Sequence, residues 1–388
     1  MRNKYPGSSS AKSKIVYMKR KYRMSKVYFC DFVTGMKESI PDKFIRLIKK
    51  AGIDDINFKD KYVAIKLNFG ELGNMAFLRH NYARKLVEHI KSRGGRPFVT
   101  DSNTLYVGQR SNSLDHLDCA YANGYNPLAL GCHTIIADGL LGLDETLVAI
   151  DGEYVKHAKI GSAIMQADIF ISLNHFKGHE LTGFGGAIKN IGMGSGSRAG
   201  KMEMHCSGKP SVDPQECVWC ERCIKSCGQD AIYEENSKAV IDQEKCAGCG
   251  RCIGQCLVDA ISPNGNNSAQ LTGCRMAEYT YAVLKERPGF HINIAADIVP
   301  FCDCYNRNDI GIVPDIGMFA SFDPIALDRA CADAVINSPA REKSLLEPHV
   351  HDSEDHFKSL HPNSDWKACL AHCEKLGIGT QDYELVDL

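Results

Sequence analysis

The sequence predicts an α/β protein: a mostly parallel sheet flanked by helices, with a small cysteine-rich α+β unit inserted into it. Three observations carry this. Short apolar segments alternate with helical periods along most of the chain. Glycines stand where the helices should end. Eight of the 18 cysteines fall between Cys217 and Cys256, at regular spacing.

The apolar segments that read as strands are Val27–Phe32, Tyr62–Leu67, Pro97–Thr100, Thr134–Ala137 and Ile169–Leu173. Helical periods lie between them, at Ile40–Lys50 and Asn81–Ser92. The second carries Ala83, Leu86, Val87 and Ile90 on one face, and Gly52 and Gly94-Gly95 close the pair. Alternation of this kind builds parallel sheets, because each crossover helix returns the chain to the same sheet end. The pattern resumes after the cysteine block. Met276–Lys285 reads as helix, His291–Ile298 as strand, Ile310–Pro314 as a short apolar piece and Ile325–Val335 as helix. The simplest architecture is one α/β domain (25–207 and 266–388) interrupted by an insertion at 208–265. Two separate α/β domains flanking the insertion is the alternative.

A chain of 388 residues, 44% hydrophobic, is long enough for two or three domains and a sizeable core. Its 46 basic and 47 acidic side chains nearly cancel, which removes any general electrostatic case for a nucleic-acid partner. There is no apolar run long enough to span a membrane. The segment 1–24 is basic and lacks an apolar signal core, so it reads as a disordered leader. Clustered cysteines argue for metal ligation in a reducing, cytoplasmic setting.

Within the cluster two runs repeat with a period of 29 residues: Cys217, Cys220, Cys223, Cys227 and Cys246, Cys249, Cys252, Cys256. Asp213 and Asp242 precede them at matching offsets, and Asp230-Ala-Ile and Asp259-Ala-Ile follow. A C-x2-C-x2-C run wraps three thiolates around one iron–sulfur cube, and the fourth cysteine reaches a second cube. Structural zinc favours paired C-x2-C units instead. Over some 50 residues the block resembles bacterial two-cluster ferredoxins. That resemblance implies one [4Fe-4S] cluster on Cys217, Cys220, Cys223 and Cys256, and another on Cys246, Cys249, Cys252 and Cys227. It departs from the pattern in having Gly228 and Leu257 where proline is usual.

After the strand ending at Leu173, polar residues begin at once: Asn174, His175, Lys177, His179 and Glu180, then Gly183, Gly185, Gly186, Lys189 and Asn190. Open α/β sheets bind ligands beyond the carboxyl ends of their strands. The glycines permit close backbone approach, and a helix running through Ile188 would offer N–H groups to an anion. Lys66-Leu-Asn68-Phe-Gly70-Glu71 and Asp101-Ser102-Asn103 also follow strands and can converge on this edge. So can Cys302-Asp303-Cys304, with Cys206 or Cys274 as further thiols, or as plain buried cysteines. Asp323, before Pro324, reads as a helix N-cap. His349, His351, His356, His361 and His372 are irregularly spaced and read as a solvated tail ahead of and within a short helix at Trp366–Leu376.

Taken together, Lys66–Gly70, Asp101–Thr104, Asn174–Gly192, Cys302–Cys304, Asp315–Gly317 and Asp323-Pro324 resemble the DUF362 family over about 80% of the chain. The resemblance implies an α/β domain with an inserted ferredoxin-like module and names no reaction. The leading functional expectation is therefore an iron–sulfur redox protein. Its two clusters would feed electrons to a pocket of His175, Lys177, His179, Lys189, Cys302 and Cys304, or to a redox partner protein, with His175 or His179 as proton donor. The alternatives are a non-catalytic electron carrier or metal-handling protein, and a phosphate-binding transferase or ligase with structural clusters.

Overall fold

In the computed structural model the described residues are 24–36, 38–106, 108–205, 209–263 and 268–388. The expected leader, apart from Met24, and Cys206 lie outside them.

Strand β1 (Ser25–Cys30) leads into α1 (Ile40–Lys50). Ser39 starts that helix by accepting the Asp42 N–H at 3.3 Å, and Phe44, Leu47 and Ile48 form its buried stripe. Then come β2 (Tyr62–Lys66), α2 (His80–Ser92), β3 (Arg96–Asp101), α3 (Ser113–Ala122), α4 (Pro127–Leu130) and β4 (Thr134–Ile136). An antiparallel hairpin, β5 (Glu145–Ala149) with β6 (His157–Gly161), precedes α5 (Ser162–Gln166) and the fully buried β7 (Ile169–His175). A second small hairpin, β8 (Lys177–His179) with β9 (Gly183–Gly185), leads to α6 (Ala187–Ser195) and α7 (Arg198–His205).

Between 209 and 263 lie β10 (Pro210–Val212), α8 (Arg222–Ser226), β11 (Ile232–Glu235), β12 (Lys238–Ile241) and β13 (Ile261–Pro263). Afterwards the chain forms α9 (Ala269–Leu284), β14 (Gly289–Ala295), β15 (Gly317–Ser321), α10 (Pro324–Ile336), α11 (His356–Leu360), α12 (Trp366–Lys375) and β16 (Tyr383–Asp387).

Eight strands make one sheet in the order β16-β1-β15-β14-β7-β2-β3-β4. Only β15 runs antiparallel to its neighbours. Strands from before and after residues 208–265 share this sheet. Alternate side chains of β7, such as Ile169, Ile171 and Leu173, join the core under α1 and α2, while Phe170 joins the core under α6, α9 and α10.

Three expectations are corrected here. The segment from Asp315 to Asp328 reads in sequence as a loop followed by a helix, because Asp315 and Gly317 carry turn chemistry, but Gly317–Ser321 is a buried strand; the short apolar piece Ile310–Pro314 lies outside the strands. The C-terminal stretch is not a solvated tail. Trp366, Cys369, Leu370 and Cys373 fall at helical spacing on one buried face of α12, and β16 pairs with β1. His349 and His351 are exposed, but His356, His361 and His372 are buried on the Ser338 carbonyl, the Pro300 carbonyl and the Glu278 carboxylate.

The third correction concerns the cysteine block. Its internal repeat is real in the backbone: Cys217 and Cys246 N–H groups donate to the Asp213 and Asp242 carbonyls, whose own N–H groups donate to Ala260 and Ala231. Cys217, Cys220, Cys223 and Cys256 line one small cavity. Yet among the described residues no group of three or more His, Cys, Asp or Glu is arranged to hold a metal ion. The expected pair of [4Fe-4S] clusters on Cys217, Cys220, Cys223, Cys227, Cys246, Cys249, Cys252 and Cys256 is therefore not supported. With it fall the iron–sulfur redox, electron-carrier, metal-handling and cluster-bearing transferase readings. Spacing specifies ligand type and order along the chain; ligation also needs convergence of the sulfurs on one point. Several sulfurs also accept backbone amides, as Cys227 does Ala231 N–H and Cys217 does Ala239 N–H, both at 3.4 Å.

Candidate active site at the carboxyl edge of the sheet

Strands β2, β7 and β14 run parallel, so their C-terminal ends deliver Lys66, His175 and the 296–304 loop to one edge. Chain progression reverses between β2 and β7, and such a switch point opens a crevice in sheets of this kind.

A buried hydrogen-bond chain crosses that point. Lys66 Nζ lies 2.8 Å from Asp101 Oδ1 and donates to Asn190 Oδ1 at 2.8 Å. Asn190 Nδ2 donates to Asn174 Oδ1 at 2.6 Å, and Asn174 Nδ2 to Asn293 Oδ1 at 2.9 Å. Asn293 Nδ2 in turn donates to Asp328 Oδ1 at 2.8 Å. Asp328 accepts the N–H groups of Ala187 and Ile188 at 2.7 and 2.9 Å, so it caps the start of α6. Burial pushes its carboxyl up to about 6, against the opposing pull of these hydrogen bonds.

This arrangement corrects one expectation. The helix N-terminus after the glycine-rich segment does not offer its N–H groups to a phosphate, because a carboxylate from α10 already holds them. The glycines serve packing: a Cβ on Gly186 would sit 2.3 Å from Asp328 Oδ1, and one on Gly194 would sit 2.5 Å from Lys66 Nζ.

With α6 clamped at both its first turn and Asn190, Lys189 is fixed over the 302–304 loop. Its Nζ lies 3.5 Å from Cys302 Sγ, and Cys302 Sγ lies 3.2 Å from Cys304 Sγ. Hydrogen bonding from Cys304, with the charges of Lys189 and Lys177, pulls the Cys302 thiol down to about 5 despite its burial. The Cys304 thiol moves upward, since its neighbour takes the negative charge first and burial adds to the effect. Lys189 is correspondingly held in its charged form by the thiol pair and Glu180.

The six residues singled out from sequence meet at this edge in different roles. Cys302, Cys304 and Lys189 lie together in one contact group. His175 and Lys177 are its scaffold: His175 Nδ1 and Lys177 Nζ grip the two oxygens of the fully buried Asp303 at 3.0 and 3.2 Å. The other His175 nitrogen lies 2.8 Å from the Ala296 carbonyl. Both its nitrogens are engaged, so His175 has no proton to offer the pocket. His179 accepts the Leu181 N–H at 3.1 Å on Nδ1, which leaves its proton on Nε2. Burial and Lys189 push its pKa down to about 3, so it is a neutral donor near Lys189 and Glu180, not an imidazolium acid.

Several members carry no sequence signal. Arg110, in the loop before α3, donates to Glu71 Oε2 at 3.2 Å and to Asn68 Oδ1 at 2.6 Å. Asn68 Nδ2 donates to Cys304 Sγ at 3.7 Å. Tyr106 and His205 pack edge to face beside the pocket, and Tyr305 donates to Glu180 at 2.8 Å. Asn68, Lys189, Asn190, His205 and Cys304 are partly exposed, with Lys66, Arg110 and Cys302 buried beneath. Cys274 lies elsewhere, against Cys369.

Residues 63–333 match the family model described as "Domain of unknown function (DUF362)". The chain belongs to this family. Among solved structures it is similar to the lactate racemase apoprotein from Thermoanaerobacterium thermosaccharolyticum, at 14% identity and a TM-score of 0.40 over 70% of this chain and 51% of that one. A structural-genomics protein from Thermotoga maritima is 13% identical, with a TM-score of 0.40 over 81% of this chain and 60% of its own. The DUF362 chain thus spans about half to three-fifths of the length of these structures. No curated protein matches it.

Proposed function

We propose that this protein is a thiol-dependent enzyme that acts on a small electrophilic substrate at the carboxyl edge of the sheet, with Cys302 as nucleophile. The observation that carries the reading is the placement of Lys189 Nζ 3.5 Å from a thiol that a second thiol approaches to 3.2 Å. A thiolate so held is the reactive form of cysteine at neutral pH. Its sulfur lone pair forms a C–S bond to a carbonyl carbon, and the C=O π pair moves onto oxygen. There Lys189 and the Nε2–H of His179 supply hydrogen bonds to the new charge. Lys177, with Asp303 and His175, keeps the loop and its sulfurs in place. Cys304 supplies the S–H donor.

The same reading treats 208–265 as an inserted α+β unit in an α/β domain of 25–207 and 266–388. Support comes from the pairing of β10 with β13 at its two ends and of β11 with β12 inside it. Leu105 and Met202 of the larger part pack into its core, next to Tyr106 and close to His205 of the pocket. A small-molecule substrate suits a thiol that is itself buried beneath the partly exposed Lys189 and Cys304 better than a macromolecule does. A cytoplasmic setting fits the absence of disulfides among the described cysteines. Among the described residues no helix is long and apolar enough to cross a membrane.

The test is iodoacetamide labelling across pH, with mass spectrometry locating the adduct. The expected result is rapid labelling at Cys302 with an inflection near pH 5. Labelling of Cys302 only with the profile of a free thiol, near pH 8.5, would sink the reading.

A further inference from the structure

Arg110 is 1% exposed, and a guanidinium buried so deeply normally has every N–H engaged. Here Nε serves Glu71 and Nη1 serves Asn68, with Asp101 Oδ2 a further 3.7 Å from Nη1. Nη2 has no hydrogen-bond partner. The guanidinium is held by three polar groups on two segments, Asn68 and Glu71 on one loop and Asp101 at the end of β3, and it faces the Cys304 thiol, on which both its charge and a side-chain hydrogen bond bear. An unpaired charged donor in a buried place is costly unless something occupies it. Arg110 has its counter-charge in Glu71, as Lys66 has in Asp101 and Lys177 in Asp303, so what sets it apart is the unused Nη2 and not an unpaired charge.

We propose that Arg110 is a specificity-determining residue whose free Nη2 holds the carboxylate of the substrate that Cys302 attacks. This rests on Cys302 being the nucleophile and adds the substrate class to it: a small carboxylic acid bearing an electrophilic carbon. The chemistry favours carboxylate over phosphate. A planar guanidinium edge with one open nitrogen matches one carboxylate oxygen. A phosphate needs several converging donors, and the helix N-terminus that would supply them is filled by Asp328. Asn68 couples the two functions, since it accepts from Arg110 and donates to Cys304.

Two alkylating agents of nearly equal size separate the claims. Iodoacetate carries a carboxylate and iodoacetamide does not. With either, the Cys302 sulfur forms a bond to the methylene carbon and iodide leaves with the C–I electron pair. The neutral reagent reports the thiolate alone. The ratio of the two rates, each relative to free cysteine, reports the carboxylate site. The expected ratio for the wild-type chain favours iodoacetate by about tenfold or more, as a charge-assisted hydrogen bond predicts. Arg110→Gln should abolish the preference while iodoacetamide still labels Cys302 rapidly. Arg110→Lys keeps a charge without the planar fork and should retain only part of it.

If iodoacetamide labels Cys302 rapidly but iodoacetate shows no preference in the wild-type chain, the Arg110 proposal fails and the nucleophile stands. If neither reagent labels Cys302 faster than a free thiol, the nucleophile reading itself fails. The wild-type ratio decides the matter even if Arg110→Gln does not fold. A preference that persists in a folded Arg110→Gln protein also overturns the proposal.

Discussion

Two groups of buried thiols in this DUF362 protein behave in opposite ways. Cys302 at the sheet edge is held ionised at about 5. Cys331 and Cys373, in the helical layer over the same sheet, are pushed well above a free thiol's value, and Cys274 is pushed up to about 11. All four are nearly inaccessible, so burial does not separate them. What differs is charge. The core thiols face apolar side chains and the carboxyls of Asp328 or Glu278, whereas Cys302 faces Lys189, Lys177 and an S–H donor. Reactive cysteine is made by its neighbours, and the number of cysteines nearby is a poor guide to it.

The largest expected effect breaks the scaffold of the reactive side. Asp303→Asn leaves Lys177 and His175 without their buried carboxylate and should cost about 3–5 kcal/mol, measured by denaturant unfolding. Next comes the charge itself. Lys189→Met should return the Cys302 thiol toward the behaviour of Cys331. The thiolate fraction at pH 7, and with it the iodoacetamide rate, should fall about tenfold, since the Cys304 hydrogen bond and Lys177 remain. A rate within threefold of wild type would show that Lys189 does not make the difference between the two groups.

A pH series sharpens the same contrast. Cys302 is more acidic folded than unfolded, so its contribution to stability is complete above the unfolded value near 8.5 and is lost as pH falls through about 5. Cys304 is shifted the other way, and its contribution is lost only as pH rises beyond the unfolded value. Between pH 5 and 8 the wild-type chain should therefore gain stability relative to Cys302→Ser, a difference read by unfolding at each pH. The smallest effect is on the core side. Cys331→Ala should cost about 1 kcal/mol and leave the labelling rate and its pH profile at Cys302 unchanged.

Much of this edge was legible in the chain. Lys66, Asn68, Asp101, Asn174 to His179, Lys189 and Cys302 each follow a strand-like run, and parallel strands must present such residues together. Arg110, Tyr106 and Tyr305 were not, because they stand in loops with no periodicity and reach the site only through the fold. The C-terminal segment was misread for a related reason. Its helical stripe of Trp366, Cys369, Leu370 and Cys373 is short and set among polar residues, and only docking against α9 and α10 makes it core. The cysteine repeat shows the converse. Its period is expressed in the matching Asp213 and Asp242 turns, but the convergence of sulfurs that a metal requires is not met among the described residues.

By itself the sequence determined the α/β class and the edge where polar groups collect, since these depend on periodicity and on the order of elements. The tertiary structure alone decided that Asp328 fills the helix N-terminus, that Asp303 occupies His175 and Lys177, and that Lys189 is the cation left facing Cys302. Those outcomes depend on distances of about 3 Å between residues more than a hundred positions apart, and no local pattern encodes them.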